Sequence, residues 1–363
     1  MFLAIRELKH AKFRYLLIGC IMLLVAWLTF IVSGLANGLA LDNASAMKNM
    51  NGDYFVLQKS AEQKLARSSI QTNTLDEIRK EDGVEEAVPL SVATMSFVPN
   101  GEEKKVDVTV FGVERTSMIM PDDVEGSSIQ NVGEHEAVVD ASLKRQGIEL
   151  GDTLINEDFG ITFTVVGFAE GQMFSHMPVL YTDTESFQTM MKETGRQKEP
   201  AYNAVVVKGE TSISESNTHV EVLTKDGAMQ GIPGYKEEQG SLTMMIAFLL
   251  IIAAFIQAVF FYVITLQKTN QFGVLKAIGA KTSYLAKNLI GQVLLLATVA
   301  IGISITLTFG ISALFPESMP FELGIDVIIK YALLLIGVAV LGALLSLRRI
   351  AKIDAIEAIG RVE

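Results

Sequence analysis

Hydrophobic residues along this chain gather into four long runs, with one extended stretch of mixed pattern between the first and second. Tyr15–Leu39, Leu242–Leu266 and Asn288–Phe315 carry no charged residue. Tyr331–Leu347 is the fourth run, extended at its start by Ile325–Ile329 across Asp326 and Lys330. About 20 consecutive apolar residues in a helix cross the hydrocarbon core of a bilayer. A lone span satisfies its own backbone only as a helix. The pattern predicts four transmembrane helices, at 15–40, 242–266, 288–315 and 325–347, with a short loop at 316–324.

Residues 41–241 read differently. Tyr54–Leu57, Lys105–Val113, Ala137–Val139, Ile161–Phe168, Pro178–Tyr181 and Ala204–Val207 are short apolar or alternating segments, the pattern of strands. Thr74 with Glu77 forms a capping box that predicts a helix over Leu75–Glu81, ended by Gly83. Ser142–Gly147 and Thr184–Thr194 predict two more helices, and Leu150-Gly151-Asp152 a turn before Thr153. The expected fold is a four-helix membrane protein with an α+β domain inserted between its first two spans. At roughly 200 residues the insert is large enough for its own core.

Charge orients the spans. Arg6, Lys9, Lys12 and Arg14 precede the first, against Glu7. Lys268, Lys276, Lys281 and Lys287 lie between the second and third with no acid. Arg348, Arg349, Lys352 and Arg361 follow the fourth, while the third-to-fourth loop carries Glu317 and Glu322. Basic loops stay cytoplasmic, so both termini and the 267–287 connection are expected inside and the insert outside. The insert holds 34 acidic and 17 basic residues, against 7 and 13 in the remainder, within a chain of net charge −11. An acidic insert argues against a nucleic-acid partner, which requires a basic face.

Candidate chemistry is sparse. A single cysteine, Cys20, lies inside the first apolar run, so neither an intrachain disulfide nor a cysteine metal cluster is possible. His10, His135, His176 and His219 show no metal-ligand spacing, and no G-x-S-x-G turn is present. Asp122 and Asp123 read as solvated surface. No catalytic residues and no metal site are expected.

The 267–287 connection is the most informative polar segment. Phe272, Leu275 and Ile278 fall at helical spacing on one side of a short helix, and Gly273 and Gly279 permit tight turns or close docking. Lys281-Thr282 lacks the G-x-x-x-x-G frame of a nucleotide-binding loop, so the chain is not its own ATPase. Residues 1–14 are amphipathic, with Phe2, Ile5 and Leu8 on one face, and are expected on the inner membrane surface.

The residues Phe272-Gly273-Val274-Leu275-Lys276-Ala277-Ile278-Gly279-Ala280 resemble the G-V-L-[RK]-A-[IL]-G-A segment of FtsX/MacB-type (type VII) ABC transporter permeases. The tail Arg349-Ile-Ala-Lys352-Ile-Asp-Ala-Ile-Glu-Ala358 is similar to that family's K-x-D-P-x-E-A-L ending, with Ala355 where proline is usual. Asp82-Gly83-Val84, Leu150-Gly151-Asp152 and Phe163–Gly167 resemble the core of the MacB-like extracytoplasmic domain. Phe13–Leu17 followed by Ile31–Leu39 looks like the HrtB branch, the permeases of Gram-positive heme exporters.

The resemblance implies a homodimeric permease bound to two copies of a separate cytoplasmic HrtA-like ATPase that consumes ATP and magnesium. Closure of the ATPases would push on residues 272–280, and the membrane helices would carry that movement outward to expel heme, the transported substrate. No intrinsic cofactor is implied. A permease signalling to an extracellular hydrolase, or an exporter of peptides or antibiotics, would use the same fold. Gly34 and Gly38 form a G-x-x-x-G pair that suits either a dimer seam or packing within the chain.

Heme is flat, apolar and anionic, and its iron accepts Tyr, His or Met as axial ligand. Ser33 and Asn37 in the first span, Tyr54 and Tyr235 next to spans, Tyr181, and His176 with Met177 are the candidates for contacting it. Membrane lipid would surround the spans.

Overall fold

The computed structural model describes residues 12–100, 104–121, 124–127, 135–195, 201–210, 219–316 and 319–351. His10, most of the amphipathic 1–14 segment, Asp122, Asp123, Glu317 and the 352–363 tail lie outside the described residues. The chain forms two compact units, one of residues 1–39 and 240–363 and the other of Ala40–Gln239.

In chain order the elements are α1 (Lys12–Asn49), β1 (Tyr54–Gln58), β2 (Ile70–Gln71), α2 (Thr72–Ile78), β3 (Val84–Pro99), β4 (Val106–Val113), β5 (Val124–Gly126) and β6 (Glu136–Asp140). Then come α3 (Ser142–Arg145), β7 (Thr153–Asn156), β8 (Ile161–Ala169), β9 (Met173–Phe174), β10 (Met177–Asp183) and α4 (Thr184–Glu193). The chain continues with β11 (Ala201–Tyr202), β12 (Ala204–Gly209), β13 (Val220–Thr224), α5 (Lys225–Met229), α6 (Tyr235–Gln267), α7 (Thr269–Ala277), α8 (Thr282–Ser312) and α9 (Ile325–Ala351).

Four helices are long and apolar enough to cross a membrane, over Tyr15–Asn49, Tyr235–Gln267, Thr282–Ser312 and Ile325–Leu344. The helices differ from the apolar runs at their ends. The helix expected to stop near residue 40 runs on to Asn49, because Ala44, Ala46, Met47 and Met50 bury an apolar stripe in the core of the insert. Hydropathy marks the part of a helix suited to lipid, not where the helix ends. Likewise α6 begins at Tyr235 and α8 at Thr282, each several residues before its apolar run.

Within the membrane unit, Tyr15, Ile18, Met22, Phe261, Ile264, Phe272, Leu285, Leu289 and Val293 form one apolar core, closed by the small Ala297, Ala300, Ala339 and Ala343. Small residues let helix backbones approach closely where burial itself gives no driving force. A second cluster holds Ala26, Phe30, Ile301, Leu323, Val327 and Leu335. Large apolar side chains such as Phe248, Phe255, Val299 and Leu333 remain on the outside, as a lipid-facing surface requires.

The insert is a mixed α+β domain. Its main sheet runs β13-β1-β12-β3-β4-β10-β6-β8-β5, and β7 joins β8 back to β3. The hydrogen-bonded path β3-β4-β10-β6-β8-β7 therefore closes on itself. Closure removes the unpaired edges that a flat sheet exposes. β4–β10 and β6–β8 pair in parallel, and the remaining pairs are antiparallel. Alternate residues Ala93, Met95, Phe97, Val106, Val108 and Val110 fill one core with Phe163 and Val165. The opposite faces, with Phe111, Val113, Tyr181 and Val206, pack against the end of α1 and against α5.

Sequence reading misplaced the first small helix. It spans Thr72–Ile78, follows Gln71, and receives no side-chain cap, so Thr74 is inside it rather than at its start. The longest strand, β3, was missed, because Val84–Pro99 mixes buried and exposed positions as it serves β12, β4 and β7 in turn. By contrast α4 matches the expected Thr184–Thr194 helix closely, and the Asp183 carboxylate caps it by accepting from the backbone N–H of Glu185 and Ser186.

Candidate functional site

Elbow helix α7 follows α6 after the single residue Lys268 and ends in a left-handed turn at Gly279, φ +98°. The Gly279 N–H donates to the Lys276 carbonyl at 3.0 Å and the Ala280 N–H to the Leu275 carbonyl at 2.9 Å. This bond pair is the Schellman motif, and glycine suits its left-handed position. Phe272 is 4% exposed and sits in the membrane-unit core, with Gly273 buried beside it and Leu275 packed at the edge. Ile278 departs from its expected place beside them. Six positions on from Phe272, it lies about 120° round the helix; its N–H still donates to the Val274 carbonyl at 3.1 Å, and it is 77% exposed. Val274 is exposed too, and the pair forms an apolar step on the surface of α7. Ala277 is exposed, while Lys276 and Ala280 are half-buried.

The foot of the elbow holds a contact that the sequence did not signal. Lys268 Nζ donates to Tyr15 Oη at 2.8 Å, and Tyr15 Oη donates to Gln292 Oε1 at 2.9 Å. Partners more than 250 positions apart leave no local pattern to read.

Toward the other end of α1, Ser33 is buried and its hydroxyl donates to the Thr29 carbonyl one turn back. The Asn37 amide donates to the Glu322 carbonyl at 3.1 Å, and the Glu322 N–H donates to the Gly34 carbonyl at 3.0 Å. A Cβ on Gly34 would lie 2.4 Å from the Phe321 ring, and one on Gly38 2.2 Å from the Pro320 carbonyl oxygen. The close approach these glycines permit is thus made by the α8–α9 loop of the same chain.

A third group surrounds His176. The strands β9 and β10 are joined by the two-residue turn Ser175-His176, with φ of +52° and +61°. Left-handed backbone is uncommon for residues other than glycine and persists only where the surroundings enforce it. Here the Ser175 N–H donates to the Asn43 carbonyl at 2.7 Å, and the Met173 N–H to Ser45 Oγ at 3.0 Å. His176 Nδ1 lies 2.6 Å from Asp42 Oδ2, and Nε2 lies 3.5 Å from Glu238 Oε2. Asn43 Nδ2 is 3.1 Å from both His176 Nε2 and Glu238 Oε2. Tyr235 begins α6 one turn before Glu238 and is half-buried against the same core as Phe174. The hairpin thus brings together His176, Asp42, Asn43 and Glu238, of which the sequence singled out only His176. Met177 is half-buried on the flanking strand.

The remaining two candidates lie elsewhere. Tyr181 is fully buried, with its ring edge-on to Phe111 and its hydroxyl donating to Gln172 Oε1 at 2.6 Å. Burial, and then the nearby Asp140 carboxylate, push its phenol well above the usual tyrosine range. It is a core residue, closed to any ligand from outside. Tyr54 pairs with Val207 and Thr224 and packs on the cluster of Val56, Val205 and Val207, apart from the core that holds Tyr235.

Comparison with known proteins places this architecture. Residues 243–355 match the FtsX-like permease C-terminal family. The chain is 33% identical over 365 residues to the "Putative hemin transport system permease protein HrtB" of Staphylococcus epidermidis, covering 99% of each. A protein of the same description from Staphylococcus haemolyticus is 28% identical, covering 100% of each. An uncharacterized ABC transporter permease of Mycobacterium tuberculosis is 25% identical, over 99% of each. Among solved structures, the periplasmic region of MacB from Actinobacillus actinomycetemcomitans aligns with 51% of this chain and 94% of its own at 12% identity and a TM-score of 0.38. The extracellular domain of YknZ, a noncanonical ABC-type transporter of Gram-positive bacteria, aligns with 48% of this chain and 100% of its own at 16% identity and a TM-score of 0.33.

The chain belongs to the FtsX-like permeases of ABC transporters, in the group that contains the HrtB relatives. It is an integral membrane protein and a permease subunit, and permeases of this class work with an ATPase partner.

Proposed function

We propose that this chain is the permease of an ATP-driven pump that exports heme. The observation that carries this reading is end-to-end similarity to relatives named for hemin transport. Its membrane and insert units are both included in that match.

In this reading the insert is extracellular, as its acidic composition and the basic 267–287 connection suggest, and both termini are cytoplasmic. Two permease copies associate in the lipid bilayer with two copies of the ATPase. The exposed Val274 and Ile278 step on α7 is the surface offered to the ATPase, since an uncovered apolar pair beside a basic residue suits a protein contact. Phe272 and Leu275 hold α7 to the helices that it moves. His176 and Tyr235 are the residues we assign to heme. Both carry an atom that ligates iron, and both remain partly open to solvent. Ser33 and Asn37 act by shaping α1 and its loop, because their hydroxyl and amide donate to carbonyls of the same chain and neither group is an axial heme ligand.

The test is deletion of the gene in a strain that keeps the ATPase, followed by growth on heme. Sensitivity increased by about tenfold or more is expected for a principal exporter. Unchanged heme tolerance, with a normal level of the ATPase, would reject heme as the substrate and leave the permease class intact.

A further inference from the structure

Lys268 stands where α6 gives way to α7, and it is a charged residue only 7% exposed. Its Nζ donates to Tyr15 Oη and lies 5.5 Å from the centre of the Tyr15 ring. Tyr15 passes the connection on to Gln292, itself buried. Tyr15 belongs to α1, Lys268 to the α6–α7 junction and Gln292 to α8, so three side chains tie three membrane helices at the foot of the elbow. Phe272, one turn further along α7, shares an apolar core with Tyr15, Leu285, Leu289 and Val293.

Apolar packing alone would hold the elbow in place. Such contacts are non-directional, and helices joined by them can slide or rotate. A hydrogen-bonded ammonium in apolar surroundings behaves differently. Withdrawing Lys268 by more than hydrogen-bond reach strips Tyr15 of its donor and disrupts the contacts of a buried charge. A buried polar network is also no better for stability than well-packed apolar residues of the same volume. Its value here lies in fixing geometry where α6 gives way to α7 beside α1 and α8.

We propose that Tyr15, Lys268 and Gln292 are positioning residues that lock α7 to α1 and α8, so that movement imposed on the elbow passes into both helices. This rests on the reading of α7 as the contact for the ATPase. Without the lock the ATPase still binds and turns over, but its strokes no longer reach the helices.

The chain provides its own reporter. Cys20 is its single cysteine, is exposed, and lies on α1 five residues after Tyr15. A nitroxide attached to it reports on α1 in the intact permease–ATPase complex in lipid vesicles, with and without a non-hydrolysable ATP analogue. In the wild type the spectrum is expected to change with nucleotide. Tyr15→Phe and Lys268→Met are expected to keep ATP hydrolysis within about twofold, to lose the Cys20 response, and to reduce heme export by about tenfold or more. Lys268→Arg, which keeps charge and donors, is expected to retain the response, a rescue that a purely space-filling role would not predict.

If Tyr15→Phe and Lys268→Met assemble and keep both the Cys20 response and export, the proposal is overturned. A wild-type Cys20 that ignores nucleotide overturns it as well. If the wild type shows the response but moves no heme, the heme reading fails and the variants' Cys20 response alone decides. Should neither variant assemble, Gln292→Asn decides, since it withdraws the acceptor by one methylene and keeps polarity. An intact response in that variant overturns the proposal.

Discussion

His176 Nδ1 lies 2.6 Å from Asp42 Oδ2, and this contact joins a strained hairpin tip to the helix that begins as the first membrane span. The imidazole is further bordered by Asn43 and by Glu238 from α6. A two-residue turn with both residues left-handed would ordinarily carry Asn-Gly. Here Ser175 and His176 take that backbone, and the histidine is held where side chains from two other elements converge.

His176→Gln and Tyr235→Phe should each leave the protein folded. In our reading of the site each variant weakens heme binding, lowering affinity by about tenfold for loss of one ligand or its hydrogen bond. Heme titration of purified protein, followed by absorption, measures this. Spectra and affinities identical to wild type in both variants would remove these residues from the site.

Ser175→Gly should stabilise the hairpin. Left-handed backbone costs a non-glycine residue about 1–2 kcal/mol, offset in part by the extra freedom glycine gains in the unfolded chain. A net gain of up to about 1 kcal/mol is expected, read as a small rise in thermal midpoint of the detergent-solubilised protein. A fall in the midpoint would mean that the serine side chain contributes more than its strain costs.

Gly38→Ala should be more damaging than Gly34→Ala. The new Cβ at residue 38 would meet the Pro320 backbone carbonyl, whereas at residue 34 it meets the Phe321 ring, which can rotate aside. Overpacking of this kind costs about 1–3 kcal/mol. Thermal stability in detergent is the measurement, and equal midpoints for the two variants would contradict the geometry.

Gly279→Ala has open space around its Cβ but keeps a φ of +98°. The expected cost is about 1 kcal/mol, from backbone conformation alone. Val274→Asp and Ile278→Asp, at exposed positions, should not change stability measurably but should abolish co-purification of the ATPase if α7 is its docking surface. Retention of the ATPase by both would move the docking surface elsewhere.

Tyr181 sets an alkaline limit. Its phenol is raised in the folded state, so its contribution is fully present below the unfolded value near 10.0 and is lost as pH rises beyond it. Unfolding midpoints should fall as pH rises above about 10, less steeply in Tyr181→Phe. That variant should itself cost about 1–2 kcal/mol at neutral pH, because Gln172 Oε1 loses its donor. An identical alkaline slope in wild type and variant would show that Tyr181 ionises freely.

Four spans, an α+β insert between the first two and a polar elbow carrying a short helix within residues 267–287 followed from sequence alone. Each is encoded by neighbouring residues. An apolar run, an alternation or a glycine at a helix end acts within a few positions, through burial, pleat and backbone sterics. The elbow motif also carried the family. What the sequence did not determine depends on residues far apart in the chain. It could not show that β7 closes the sheet onto β3, or that Gly34 and Gly38 receive Phe321 and Pro320. It offered Tyr181 as a candidate for contacting heme, although the fold buries it completely. It also gave no sign that Tyr15, Lys268 and Gln292 meet, or that Asp42, Asn43 and Glu238 gather around His176. Polar side chains obey no period, and only the tertiary fold decides which of them must find partners when water is excluded.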